Sequence, residues 1–135
     1  MRNGDWKQTR LTAVNLAAAL LCLAPAVHAA EPWPAGAFAV LCYHDVQDEL
    51  RQRPDYYAIE TRQLAQQFAW LREQGYHIVD LNEVIAARRG ERPLPERAVL
   101  LSFDDGLQSV YTRAFPLLVA FHYPAIVGLV GGWLA

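Results

Sequence analysis

Leu100-Leu101-Ser102-Phe103-Asp104-Asp105-Gly106, "LLSFDDG", is the stretch on which both fold and chemistry turn. An apolar strand runs straight into two adjacent carboxylates and then a glycine. Like charges side by side repel unless a cation or a shared proton lies between them. An Asp-Gly turn uses one carboxylate and has no need of two. Two readings follow. One is a strand-to-helix turn capped by Asp105. The other gives one carboxylate to a divalent metal and its neighbour to proton transfer.

Working outward from that stretch, residues 98–103 ("AVLLSF") and 37–44 ("AFAVLCYH") are short apolar runs, each read as a strand buried on both faces. Between them lies a polar loop to about Ile59, then "ETRQLAQQFAWLREQGY". There Leu64, Phe68 and Leu71 recur at helical spacing, Thr61 is placed for an N-cap, and Gly75 for a C-terminal stop. "HIVDL" predicts a brief strand, and "NEVIAARRG" a short helix ending in basic residues and Gly90. Beyond Gly106, "LQSVYTRAFPLLVAFHY" is helical through Val110, Ala114, Leu117, Leu118 and Phe121, with Pro116 starting a turn or kinking it. "PAIVGLVGGW" supplies a last strand. The alternation predicts an α/β fold with a parallel sheet and crossover helices, whose ligands bind at the carboxyl ends of the strands.

The bulk numbers agree with one globular unit. The chain has 135 residues, 53% of them hydrophobic, and a formal charge of −2 with no basic run, which excludes a nucleic-acid partner. Residues 1–29 read as a secretory signal peptide: Arg2, Lys7 and Arg10, then an apolar core, then small residues with cleavage after Ala29 or Ala30. A retained membrane anchor and lipidation at Cys22 are the alternatives. Asn15 and Pro25 interrupt the apolar run, and Leu21 stands where a lipoprotein signal wants a small residue, so no permanent membrane span is expected. Residues 30–36 read as a proline-rich linker, and 37–135 as the folded part. After cleavage Cys42 is the remaining cysteine, expected as a buried thiol packed as a small hydrophobe.

His44 ends its strand where Asp104 and Asp105 end theirs, and Asp45 stands ready to orient its imidazole. His77 and His122 each sit beside a tyrosine at a predicted helix end and read as structural. Tyr43, Tyr111 and Trp133 are candidates for stacking on sugar rings.

The ordered set "LCYHDV", "QFAWLREQGY", "PLPE", "SFDDG" and "YTRAFPLL" resembles the polysaccharide deacetylases with a NodB-homology domain, carbohydrate esterase family 4. Within that family it is similar to the poly-β-1,6-N-acetylglucosamine N-deacetylases of exopolysaccharide and biofilm systems, from about Phe38 to the last residue. The resemblance implies a (β/α) barrel of the NodB type and metal-dependent hydrolysis of N-acetyl groups on an N-acetylglucosamine polysaccharide. It makes Asp104 the general base and Asp105 a ligand to zinc or a similar divalent ion, and it places His44 at the active site. Tyr43 and Trp133 are the candidate substrate contacts, with packing as the alternative for each. The resemblance also implies two further histidine ligands downstream of "VGGW", and the chain stops at Ala135. The expectation is therefore a partial barrel, the N-terminal part of a longer deacetylase. Deacetylation of peptidoglycan, chitin oligomers or xylan is an alternative, as is a non-catalytic carbohydrate-binding remnant. Export implies the periplasm, outer membrane or extracellular space, and an exopolysaccharide export machinery as partner.

Overall fold

In the computed structural model, which describes residues 33–49 and 57–133, the largely apolar run around Leu100 becomes the axis of the sheet. Strand β5 (Ala98–Phe103) is buried at all six positions. Strand β1 (Phe38–Tyr43) pairs with it in parallel along its whole length, from Phe38 opposite Ala98 to Tyr43 opposite Phe103. The other edge of β5 is shared. Its first residues pair with β4 (His77–Ile78) and its last with β6 (Ile126–Val127), both parallel. The backbone bonds show the division: the carbonyls of Arg97, Val99 and Phe103 accept from His77, Val79 and Gly128, whereas the Asp104 N–H donates to Tyr43. The α/β class with parallel strands and connecting helices is as expected.

The polar loop holds an element the periodicity did not reveal. β2 (Asp45–Gln47) and β3 (Ala58–Glu60) form a separate parallel pair. Three residues are too few to show alternation, but they bury Val46 completely.

Helix α1 (Thr61–Glu73) lays Leu64, Phe68 and Leu71 into the core, as their spacing predicts. Its N-cap is Glu60 and not Thr61, with the Glu60 N–H donating to Gln63 Oε1. The Thr61 hydroxyl is spent elsewhere, on the Gln47 carbonyl and Asp48 Oδ1, each at 3.2 Å. The helix stops where expected, with Gly75 at φ 71° and Tyr76 N–H returning to the Leu71 carbonyl. Helix α2 (Leu81–Arg88) carries a reciprocal cap in which Glu83 N–H donates to Asp80 Oδ1 and Asp80 N–H to Glu83 Oε2.

The last helical run begins as a π-helical segment (Val110–Ala114) and continues as α3 (Phe115–Phe121). Pro116 gives the reason. It lacks an N–H and its ring crowds the carbonyl four residues back, so a wider turn just ahead of it, with Phe115 N–H reaching the Val110 carbonyl, relieves the clash. The last strand is shorter than expected, and Gly131–Trp133 form a 3-10 turn instead.

Alternation across the sheet sorts the core. Tyr43, Val99, Leu101 and Phe103 face Leu64, Phe68, Leu71, Val110, Ala114 and Leu118 on the helices. On the opposite face Ala98 packs with Val79, Val84, Phe38 and Leu94. β1 is not buried on both faces: Val40 is 51% exposed and Cys42 is exposed, because on that edge only the Phe38 end is covered among the described residues.

Tyr43 packs into the core at the other end of β1. Its ring stacks on Phe103 with centroids 5.2 Å apart, its hydroxyl donates to Gln67 Oε1 at 2.9 Å, and it is buried. Burial pushes its phenol up to about 12. A folded pKa above the unfolded value of about 10 gives stability that is complete below pH ~10 and lost as pH rises through ~12. Circular dichroism against pH is expected to show this alkaline loss, and Tyr43→Phe to shift it upward. An identical alkaline midpoint in the variant would contradict the assignment.

Candidate active site at the strand ends

Residues two apart on a strand share a face. Cys42 and Ser102 are register partners, so the residues two further on, His44 and Asp104, continue the same face just beyond the carboxyl ends of β1 and β5. The expected convergence of His44 with Asp104 is found there. Cys Sγ, an imidazole nitrogen and a carboxylate oxygen from Cys42, His44 and Asp104 lie within 4.8 Å of one another. These are three donor types that could hold a divalent ion.

Asp104 and Asp105 have unequal surroundings. Asp104 is clamped: Ser102 Oγ donates to its Oδ1 at 2.7 Å and Cys42 Sγ to its Oδ2 at 3.2 Å. Those two hydrogen bonds, Ser102's first, and the nearby His44 hold its carboxyl below the ordinary carboxylate range. Gly128 lies against it; a Cβ there would stand 3.3 Å from Asp104 Oδ1. Asp105 takes the turn. Its φ of 71° is left-handed, which aspartate tolerates better than most residues, and Gly106 follows at 66°. Its carboxylate accepts no side-chain hydrogen bond among the described residues, and its charge is felt at Cys42. Turn chemistry therefore accounts for Asp105-Gly106 and leaves Asp104 to be explained by what it faces. As for a metal, the free Asp105 carboxylate has the chemistry of a ligand, as does the strand-end triad.

Cys42 departs from its expected buried, inert state. It is exposed, and its hydrogen bond to Asp104, with desolvation and the charges of Asp104 and Asp105, pushes the thiol pKa up. Neither Cys42 nor Ser102 stood out as functional from composition. The signal was present in the lone hydroxyl of "LLSF" and in the two-residue step to Asp104.

Asp45 does not orient His44. It accepts from Ser109 Oγ at 2.5 Å and Gln47 Nε2 at 2.6 Å. Burial raises its pKa, but the bonds from Gln47, Ser109 and the Val46 amide outweigh that and leave it lowered. The His44 ring instead meets Tyr57 edge-on, with centroids 5.2 Å apart. Asp48 pairs with Arg113 through two bonds, at 3.0 and 3.1 Å, tying the end of β2 to the π-helical segment. His77 and His122 lie outside the strand-end cluster; His122 terminates α3 at φ 58°. Trp133 is 65% exposed on its 3-10 turn, and Tyr111 is exposed and stacked on Phe115. The signal peptide, the first three residues of the linker and Cys22 lie outside the described residues. No helix among the described residues is long and apolar enough to cross a membrane.

No protein-family model matches the chain. A poly-β-1,6-N-acetyl-D-glucosamine N-deacetylase of Escherichia coli K12 is 47% identical over 106 residues, covering 78% of this chain and 16% of the relative. One of the same description from Staphylococcus epidermidis is 32% identical over 69 residues, covering 51% of this chain and 24% of that protein. Among solved structures, the BpsB deacetylase domain from Bordetella bronchiseptica is 49% identical with a TM-score of 0.61, over 76% of this chain and 41% of the other. A de-N-acetylase from Aggregatibacter actinomycetemcomitans is 39% identical with a TM-score of 0.66, over 72% and 38%. The chain thus spans about a sixth of the length of the E. coli relative and about two fifths of these structures. Identity at this level, carried on the same parallel α/β frame, means that the chain belongs to the polysaccharide N-deacetylase family, of whose members it spans a part.

Proposed function

We propose that the protein hydrolyses N-acetyl groups of an N-acetylglucosamine exopolysaccharide, poly-β-1,6-N-acetylglucosamine, with a divalent metal ion. The observation that carries the reading is the unequal pair at the end of β5: one aspartate held in fixed hydrogen bonds, its neighbour free to take a cation. The relatives' descriptions supply the substrate.

Asp105 holds the metal, as the resemblance implies, with histidines further along the family's pattern. When bound, a divalent ion of the zinc type polarises the acetamide carbonyl and makes water a stronger nucleophile at neutral pH. The remaining work falls to the protein. Asp104 accepts the proton that the attacking water loses. Ser102 and Cys42, both neutral donors, aim its two oxygens and keep it ionised across the working pH range. His44, on the same face, stands beside the reacting group. The exposed Trp133 ring offers an apolar face for a sugar. The products are acetate and a free glucosamine amine. Residues 1–29 direct export, so the polymer is met in the periplasm or outside the cell, beside the machinery that exports it.

The test is acetate release by the intact protein from poly-β-1,6-N-acetylglucosamine oligomers. Chelation is expected to lower the rate by at least about 10²-fold, and re-addition of a divalent ion to restore it. Chelator-resistant release removes the metal from the reading; release from peptidoglycan or chitin oligomers alone removes the substrate.

A further inference from the structure

We propose that Cys42, His44 and Asp104 form a binding site for a thiophilic divalent cation such as zinc, one that engages the carboxylate read above as the base. The metal binding stands on the geometry alone; only its catalytic consequence rests on the proposed role of Asp104.

Three observations converge. The donors are a thiol, an imidazole and a carboxylate, three protein ligands of the kinds that zinc takes, and harder ions such as magnesium avoid sulfur. Cys42 lies within the β1–β5 register, and His44 and Asp104 follow directly on its last pair, where the Asp104 N–H still donates to the Tyr43 carbonyl. The spacing is close to what an ion requires. With Zn–S of about 2.3 Å and Zn–O of about 2.0 Å, two ligands of a tetrahedral site stand about 3.5 Å apart. Cys42 Sγ and Asp104 Oδ2 are 3.2 Å apart, and the imidazole nitrogen lies within 4.8 Å of both.

The proton balance is simple. In the free protein the Cys42 Sγ–H donates to Asp104. On binding, that hydrogen bond is replaced by an S–metal and an O–metal bond, and the thiol proton passes to solvent, so one proton is released per ion bound. Because Asp104 cannot accept a proton while it ligates, occupancy of this site and proton transfer by Asp104 exclude each other.

The experiment uses the intact protein, stripped of metal, with Cys22→Ser so that Cys42 is this chain's single thiol. Cobalt(II) is the probe, because a thiolate ligand gives it a sulfur-to-metal charge-transfer absorption. That absorption is expected on titration, and it is expected to vanish in Cys42→Ser. His44→Ala and Asp104→Asn are each expected to weaken cobalt and zinc binding at this site by at least about tenfold. Asp105→Asn is expected to keep the absorption, which separates this site from the metal assigned to Asp105. Absence of the absorption in the parent protein overturns the proposal, as does its survival in Cys42→Ser. Unchanged affinity in both His44→Ala and Asp104→Asn also overturns it, since the thiol would then be acting alone.

Discussion

Asp105→Asn in the intact protein is expected to lower acetate release by at least about 10³-fold and to reduce the metal bound at the Asp105 site to a small fraction of the parent's. Asparagine is the substitution to use. Asp105 sits at φ 71°, where a Cβ-bearing residue without a short polar side chain costs about 1–2 kcal/mol, so alanine would confuse lost chemistry with a distorted turn. Asparagine keeps the left-handed geometry and removes only the charge. The carboxylate has no hydrogen-bonding partner among the described side chains, so its loss leaves no donor stranded and thermal stability should barely change. Metal content by elemental analysis and acetate by a coupled assay are the two measurements. A variant that keeps both refutes the ligand role, and one that keeps metal but loses rate moves Asp105 from ligand to reacting group.

Asp104→Asn is expected to cost about 10²–10⁴-fold in turnover, the range for removing a general base, while bound metal at the Asp105 site stays near the parent level. The amide retains an oxygen for Ser102 or Cys42 to address, so the strand ends stay in place. The neutral side chain also takes away the main cause of the raised Cys42 pKa, its hydrogen bond to the Asp104 carboxylate. The thiol is therefore expected to be alkylated faster in the variant than in the parent at the same pH, because more of it is thiolate. Turnover within tenfold of the parent would remove Asp104 as base. An unchanged alkylation rate would show that the Cys42–Asp104 bond does not form in solution.

Much of the frame was legible before any coordinates. The helical spacing of Leu64, Phe68 and Leu71 and the stop at Gly75 are local patterns, and the structure repeats them. The largely apolar run of "AVLLSF" predicts a strand covered on both faces, and β5 is buried at every position. β1 carries a similar run and is not so covered, because burial depends on what neighbours a strand and composition does not report neighbours. The N-cap of α1 was misplaced for a related reason. Thr61 is a good capping residue by type, but its hydroxyl is drawn away by the end of β2, an element too short to announce itself.

The site divides in the same way. Residue order alone established an acidic pair at the end of a buried strand and a histidine at the end of another, since strand ends and charge are local properties. Which partners those groups acquire was decided by the parallel register of β1 with β5. That register sets Cys42 opposite Ser102 and brings both to one carboxylate, across a separation of 62 residues between Cys42 and Asp104. It also turns Tyr43 inward onto Phe103 and gives Asp45 to Ser109 in place of His44. A strand's side chains alternate faces, so a shift of one residue in pairing would have exchanged every one of these partners. Composition and periodicity cannot see that shift; only the packed sheet specifies it.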